Sequence, residues 1–138
     1  YMSCRKCNIP RTLDEIVHVT CVGKKEIGRC YRFLAKELDE FIPPVFPSRY
    51  ISKFSNQLLI VGKAEKVAAS IIEVAKTLRL TSGRGPTGMA AAATYMASFL
   101  AGEKKTQREI ATIANVTEVT IRNRYKELMD KLEIKVEV

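Results

Sequence analysis

Along this chain, apolar residues recur at spacings of three and four and almost nowhere alternate, which marks helices with one buried stripe rather than half-buried strands. Only the last five residues read as an alternating, strand-like segment. The class implied is all-α. Two helix starts are marked by capping boxes, Thr12-Leu13-Asp14-Glu15 and Thr106-Gln107-Arg108-Glu109. In each, the threonine hydroxyl and the glutamate carboxylate satisfy first-turn and cap amides reciprocally. Periodic runs predict further helices over about 24–38, 50–59, 63–80 and 86–102, and another from a Thr117 cap to Leu132. Pro43, Pro44 and Pro47 fall between these runs, so residues 39–49 read as a stiff linker between a unit at 1–38 and a unit at 50–138.

The pattern also repeats. Sliding Tyr1–Leu34 onto Tyr95–Leu128, an ungapped offset of 94, superposes identical residues at Tyr1/Tyr95, Thr12/Thr106, Glu15/Glu109, Ile16/Ile110, Ile27/Ile121, Tyr31/Tyr125 and Leu34/Leu128. These are cap and stripe positions. Two copies of a five-helix unit explain the match, the first copy entering only near the end of its third helix and the second copy complete.

Within the second copy, residues 105–132 form a candidate helix-turn-helix: a short helix from Thr106 to about Ala114, a turn at Asn115 and Val116, and a second helix capped by Thr117. Asparagine tolerates the left-handed backbone such a turn needs. At about 100° per residue, Ile121, Tyr125, Leu128 and Leu132 share one stripe, while Val119, Arg122, Asn123 and Lys126 share nearly the opposite one. The displayed face carries what major-groove reading uses, an arginine for guanine and a valine for a thymine methyl, with Asn and Lys for bases or phosphates. The bland alternative is a solvated face, but such a face has little reason to display Val119. Under the same offset these positions become Lys25, Gly28, Arg29 and Arg32, so the first copy has exchanged the base-reading types for charge and should dock on phosphates or an acidic protein.

Composition narrows the field further. Twenty-three Lys and Arg against fifteen Asp and Glu give a net charge of +8, which favours phosphate backbones or acidic surfaces as partners. The longest apolar stretch, Met89–Leu100, is interrupted by Thr94 and Ser98 and falls short of the roughly 20 residues of a membrane span. The chain opens at Tyr1 without a secretion signal and reads as a fragment of a longer protein. Cys4, Cys7, Cys21 and Cys30 have a spacing that invites zinc, yet Cys4 and Cys30 fall on helical spacings, so the favoured reading is reduced, packed thiols. With His18 the only histidine, a histidine pair for acid–base catalysis is ruled out. The Gly-rich turn near Arg84 lacks the pattern of a nucleotide-binding loop and suits backbone contact to DNA instead. The alanine run at 90–93 reads as close helix packing.

Four segments, GRGPTGMAAAATYMAS, KKTQREIATIANVTEVTIRNRYKEL, IPRTLDEI and VGKKEIGRCYRFL, together make the chain resemble the archaeal transcription initiation factor B family, counterpart of eukaryotic general transcription factor IIB. The resemblance covers almost the whole chain. It implies a non-enzymatic scaffold of cyclin-like five-helix repeats, the first truncated at its N-terminus and the second ending in the helix-turn-helix. That scaffold would bind the complex of TATA-box-binding protein with promoter DNA, read the purine-rich element upstream of the TATA box, and recruit RNA polymerase. Val119 and Arg122 match the base-reading positions, with Arg84, Thr120, Asn123 and Lys126 as other DNA contacts. Arg5, Lys24, Lys25 and Arg29 match the contacts to TATA-box-binding protein. No cofactor, membrane or small-molecule substrate is implied for this stretch, the family's zinc lying in an N-terminal ribbon absent here. The setting implied is the archaeal cytoplasm at the nucleoid, or the nucleus in a eukaryote. Two rivals are a protein-binding adaptor that reads no DNA and a dimeric helix-turn-helix repressor, which would want a palindromic site.

Overall fold

Both capping boxes close. Thr12 Oγ1 accepts from the Glu15 amide at 3.2 Å while the Thr12 amide donates to Glu15 Oε2 at 2.8 Å, and Thr106 and Glu109 repeat the exchange at 3.2 and 2.7 Å. The structure, a computed structural model, describes residues 1–60 and 62–132, so the alternating residues at the end of the chain lie outside the described part. Among the described residues there are eight helices and no strand, as the spacing implied: α1 (Met2–Lys6), α2 (Leu13–Thr20), α3 (Lys24–Glu37), α4 (Ser48–Leu58), α5 (Lys63–Thr77), α6 (Pro86–Leu100), α7 (Gln107–Ala114) and α8 (Glu118–Leu132). They fall into two units, residues 1–45 and 46–138.

In the second unit α6 is the central helix, and α4, α5, α7 and α8 all pack against it. Its composition explains that place. Met89, the alanines at 90–93, Met96 and Ala97 are all essentially inaccessible, and alanine side chains let neighbouring helices approach closely. The two hydroxyls inside α6 turn back on their own helix, Thr94 to the Ala90 carbonyl and Ser98 to that of Tyr95. Pro86 opens α6 at its first turn, where a missing N–H costs nothing. Around this axis lie Ile51, Phe54, Ile72, Ile110, Ile121 and Leu128, all fully buried. The alanine run is thus packing, as read.

The first unit holds α1, α2 and α3. The offset of 94 carries α2 onto the span of α7 and the Cys21 cap onto Asn115, both left-handed with φ near 55° and 51°. It also carries the edge-on Tyr1–Tyr31 ring pair, 5.0 Å between centroids, onto Tyr95–Tyr125 at 5.3 Å. The packing differs sharply: Gly28 is the one buried residue of the three helices.

Three boundaries shift by two residues or more. α4 begins at Ser48, so Ser48 and Arg49 are helical rather than linker, while the division between units, between Val45 and Phe46, falls within the stretch read as linker; α6 ends at Leu100 rather than residue 102. α5 stops at Thr77 instead of Leu80, because Arg79 turns left-handed (φ 57°) and the Leu80 and Arg79 amides close back on the Ala75 and Lys76 carbonyls. The packed-thiol reading also fails: Cys7, Cys21 and Cys30 are exposed and Cys4 is half-buried, all four free. These thiols lie at helix ends and on outer faces of three helices whose one buried residue is Gly28.

Candidate nucleic-acid interface

The helix-turn-helix is assembled from local signals. α7 closes with Asn115 left-handed at φ 51°, its amide and that of Val116 bonding the Thr112 and Ala111 carbonyls. The chain then enters α8 through Thr117, whose Oγ1 accepts from the Thr120 amide at 3.1 Å and lies 2.9 Å from the Thr120 hydroxyl. Ile121 and Leu128 are buried and Tyr125 and Leu132 half-buried, so the core stripe of α8 is the one the spacing assigned. The opposite face stands in solvent: Val119 is 59% exposed, and Arg122, Asn123 and Lys126 are exposed beside it. No hydrogen bond or ion pair to the described residues occupies Arg122, Asn123 or Lys126, which leaves their donors available.

Thr120 has a different place. It is half-buried, its hydroxyl is tied to Thr117, and its methyl abuts α6, where a Cβ added to Gly88 would meet Thr120 Cγ2 at 3.0 Å. It sets how closely α8 crosses the start of α6. Arg84, in the turn before α6, is tethered as well: its Nη2 donates to Glu127 Oε1 at 2.9 Å. The other oxygen of Glu127 accepts from Arg124 one turn earlier on α8. The Arg84 guanidinium, with Arg124 beside it, holds the Glu127 carboxyl below the usual carboxylate range, because both hydrogen bonds favour its charged form. Glu109 is held low too, by the Thr106 backbone and side-chain hydrogen bonds of its capping box. The sequence reading missed Glu127. Its three-residue spacing from Arg124 was a visible signal, whereas the partner 43 residues away was not.

In the first unit the four cationic candidates separate. Arg5 is half-buried against the Tyr1 and Tyr31 rings, donating to Tyr1 Oη at 3.3 Å and to the Pro43 carbonyl at 2.5 Å, so it braces its own unit. Lys24 pairs with Asp14 Oδ2 at 2.8 Å across an exposed surface, a contact that binding could exchange at little cost. Lys25 and Arg29 are exposed and meet no acidic partner among the described residues. Gly28, the counterpart of Arg122, is buried, and a Cβ there would meet the Arg32 guanidinium at 3.4 Å, so this copy has no side chain at the place where α8 displays Arg122. Among the described residues no group of three or more His, Cys, Asp or Glu side chains could hold a metal, and no helix is long and apolar enough to cross a membrane.

Comparison with known proteins gives a consistent set. The chain matches the transcription factor TFIIB repeat over residues 1–37 and 42–131. The transcription initiation factor IIB of Methanococcus maripaludis is 54% identical over 136 residues, which are 99% of this chain and 40% of the relative. Those of Methanosphaerula palustris and Methanoregula boonei are each 53% identical over 136 residues. The chain therefore spans about 40% of the length of the curated relatives it matches.

Proposed function

The chain belongs to the transcription factor TFIIB repeat family, a cyclin-like fold, and from that premise we propose that it is the part of an initiation factor that reads promoter DNA. In this reading α8 enters the major groove upstream of the TATA box, with Val119 and Arg122 against base edges and Asn123 and Lys126 on bases or phosphates. Arg84 takes a backbone phosphate. Lys24, Lys25 and Arg29 dock on the acidic surface of TATA-box-binding protein, and the assembly recruits RNA polymerase in the archaeal cytoplasm. The chain does so as a scaffold, without a catalytic step and without a cofactor of its own. The observation that carries the reading is the displayed face of α8, the second helix of a helix-turn-helix, where the donors of Arg122, Asn123 and Lys126 are unoccupied beside Val119, which is 59% exposed.

The test is a binding titration on two duplexes, one with a purine-rich element upstream of a TATA box and one with that element scrambled, over a range of salt. Arg122→Ala should cost roughly 1 to 3 kcal/mol on the first duplex and much less on the second, because only a generic charge contact is lost there. Equal losses on both would reduce Arg122 to a phosphate clamp and remove the claim that α8 reads sequence. An adaptor without DNA reading would show neither preference nor salt dependence.

A further inference from the structure

Of the three carboxylates on α8, Glu118, Glu127 and Asp130, Glu127 has both of its oxygens taken by arginines, Arg84 from the turn before α6 and Arg124 from α8 itself. The three side chains are partly covered, 42% exposed for Arg84, 28% for Arg124 and 22% for Glu127. A carboxylate placed only to stabilise α8 would need Arg124 alone. The bond to Arg84 does more, because the backbone bonds of the turn before α6, the Arg84 amide to the Thr81 carbonyl at 3.3 Å among them, fix the chain there but not the guanidinium, which Glu127 ties to α8. The start of α6 is fastened to α8 twice, by the close approach of Gly88 to Thr120 in the first turn of α8 and by Arg84 to Glu127 two turns later. Between those fastenings α8 carries Arg122 and Asn123.

We propose that Glu127 is a positioning residue for sequence discrimination: it holds the Arg84 guanidinium against α8, so that one phosphate contact and the base contacts of α8 are set in a single frame. The inference rests on the reading of α8 as a DNA-reading helix. A guanidinium has five N–H donors, so Arg84 keeps donors for a phosphate oxygen while one is held by Glu127. Tethered, it accepts a phosphate in one place relative to Arg122, and DNA docked out of register loses that contact. Untethered, Arg84 follows the phosphate wherever the duplex lies. Glu127 thus lowers the net attraction to any DNA by one charge and makes the remaining attraction depend on register.

Glu127→Gln, Arg84→Ala and the double variant of the full chain, titrated on the matched and scrambled duplexes over a range of salt, decide the matter. Glu127→Gln should lower the preference for the matched duplex about threefold to tenfold, the size of coupling expected between groups in one ion-pair network. Its affinity for the scrambled duplex should hold or rise, and its salt dependence should steepen by about one unit as a cation is freed. In the Arg84→Ala background the same change should leave preference unmoved. Wild-type preference and slope in Glu127→Gln would overturn the proposal, as would a lower melting temperature with both quantities intact, or an equal loss of preference with and without Arg84. A wild-type chain that does not distinguish the two duplexes would remove the DNA-reading function itself and the inference with it, whereas discrimination by wild type that survives in Glu127→Gln removes the inference alone.

Discussion

Gly88 sits in the first turn of α6 with an ordinary helical backbone, so its lack of a side chain serves space rather than conformation. Alanine there would gain about 1 kcal/mol of helix propensity. Against that gain, the new Cβ would stand 3.0 Å from Thr120 Cγ2. The methyl cannot swing aside freely, since Thr120 is β-branched and its hydroxyl is held by Thr117. Overpacking of this kind costs about 1 to 3 kcal/mol, so Gly88→Ala should be net destabilising by about 1 kcal/mol in denaturant titration. Adding Thr120→Ser, which removes the methyl, should reverse the sign and let the propensity gain appear. A single variant as stable as wild type would mean that α6 and α8 are not in close contact here. The chain order carries no hint of this: Val119 and Arg122 were legible because helical spacing alone puts them opposite Ile121 and Leu128, but the partners of Gly88 and Arg84, and the Tyr31 ring and Pro43 carbonyl that hold Arg5, lie tens of residues away. Arg5 shows the cost of that blindness, since a motif match gives its type and place while only packing reveals that two tyrosine rings and a carbonyl already hold it.

At the scale of elements, capped starts were legible to the residue, whereas the uncapped start of α4 and the ends of α5 and α6 were placed two or three residues late. Threonine caps and a first-turn proline announce α2, α6 and α7 in the sequence, because the side chain itself makes the bond. The ends of α3, α4 and α5 turn on Asp39, Leu59 and Arg79 in left-handed backbone, positions where glycine would have been the visible sign. Backbone bonds such as Leu80 to Ala75 and Ile60 to Ser55 close these helices regardless of the residue, at a local steric cost. α8 depends on its start in a way that bears on function. Thr117 holds the Thr120 amide, one residue beyond Val119, so Thr117→Ala should cost about 1 kcal/mol and fray the first turn. Hydrogen exchange should show the Thr120 amide losing protection while Leu128 keeps it, and Thr117→Ser should restore both stability and protection. An Ala variant with full protection at Thr120 would show that packing on α6, not the cap, holds the first turn.

Across the whole molecule the two units form an internal experiment. They share capping boxes, left-handed caps and an edge-on tyrosine pair at a constant offset, so their local determinants are nearly matched. They differ in cover. Ile110, Ile121 and Leu128 are fully buried in the second unit, where α4, α5 and α6 surround α7 and α8. Their counterparts Ile16 and Ile27 are half-buried and Leu34 is 44% exposed, with Phe33, Leu38 and Phe41 also open. Complete burial of one such side chain contributes about 1.5 to 3 kcal/mol, so three incompletely covered positions separate the units by several kcal/mol even after half of each contribution is retained. Cooperative opening should therefore begin in the first unit. Native-state hydrogen exchange should place the amides of α2 and α3 at least about 2 kcal/mol below those of α7 and α8, and denaturant should unfold residues 1–45 first. Matched local signals make the comparison strict, because caps and ring pairs cancel between the copies. Equal protection in the two pairs of helices would mean that these local bonds, rather than the apolar cover that distinguishes the units, set the stability of the helix-turn-helix.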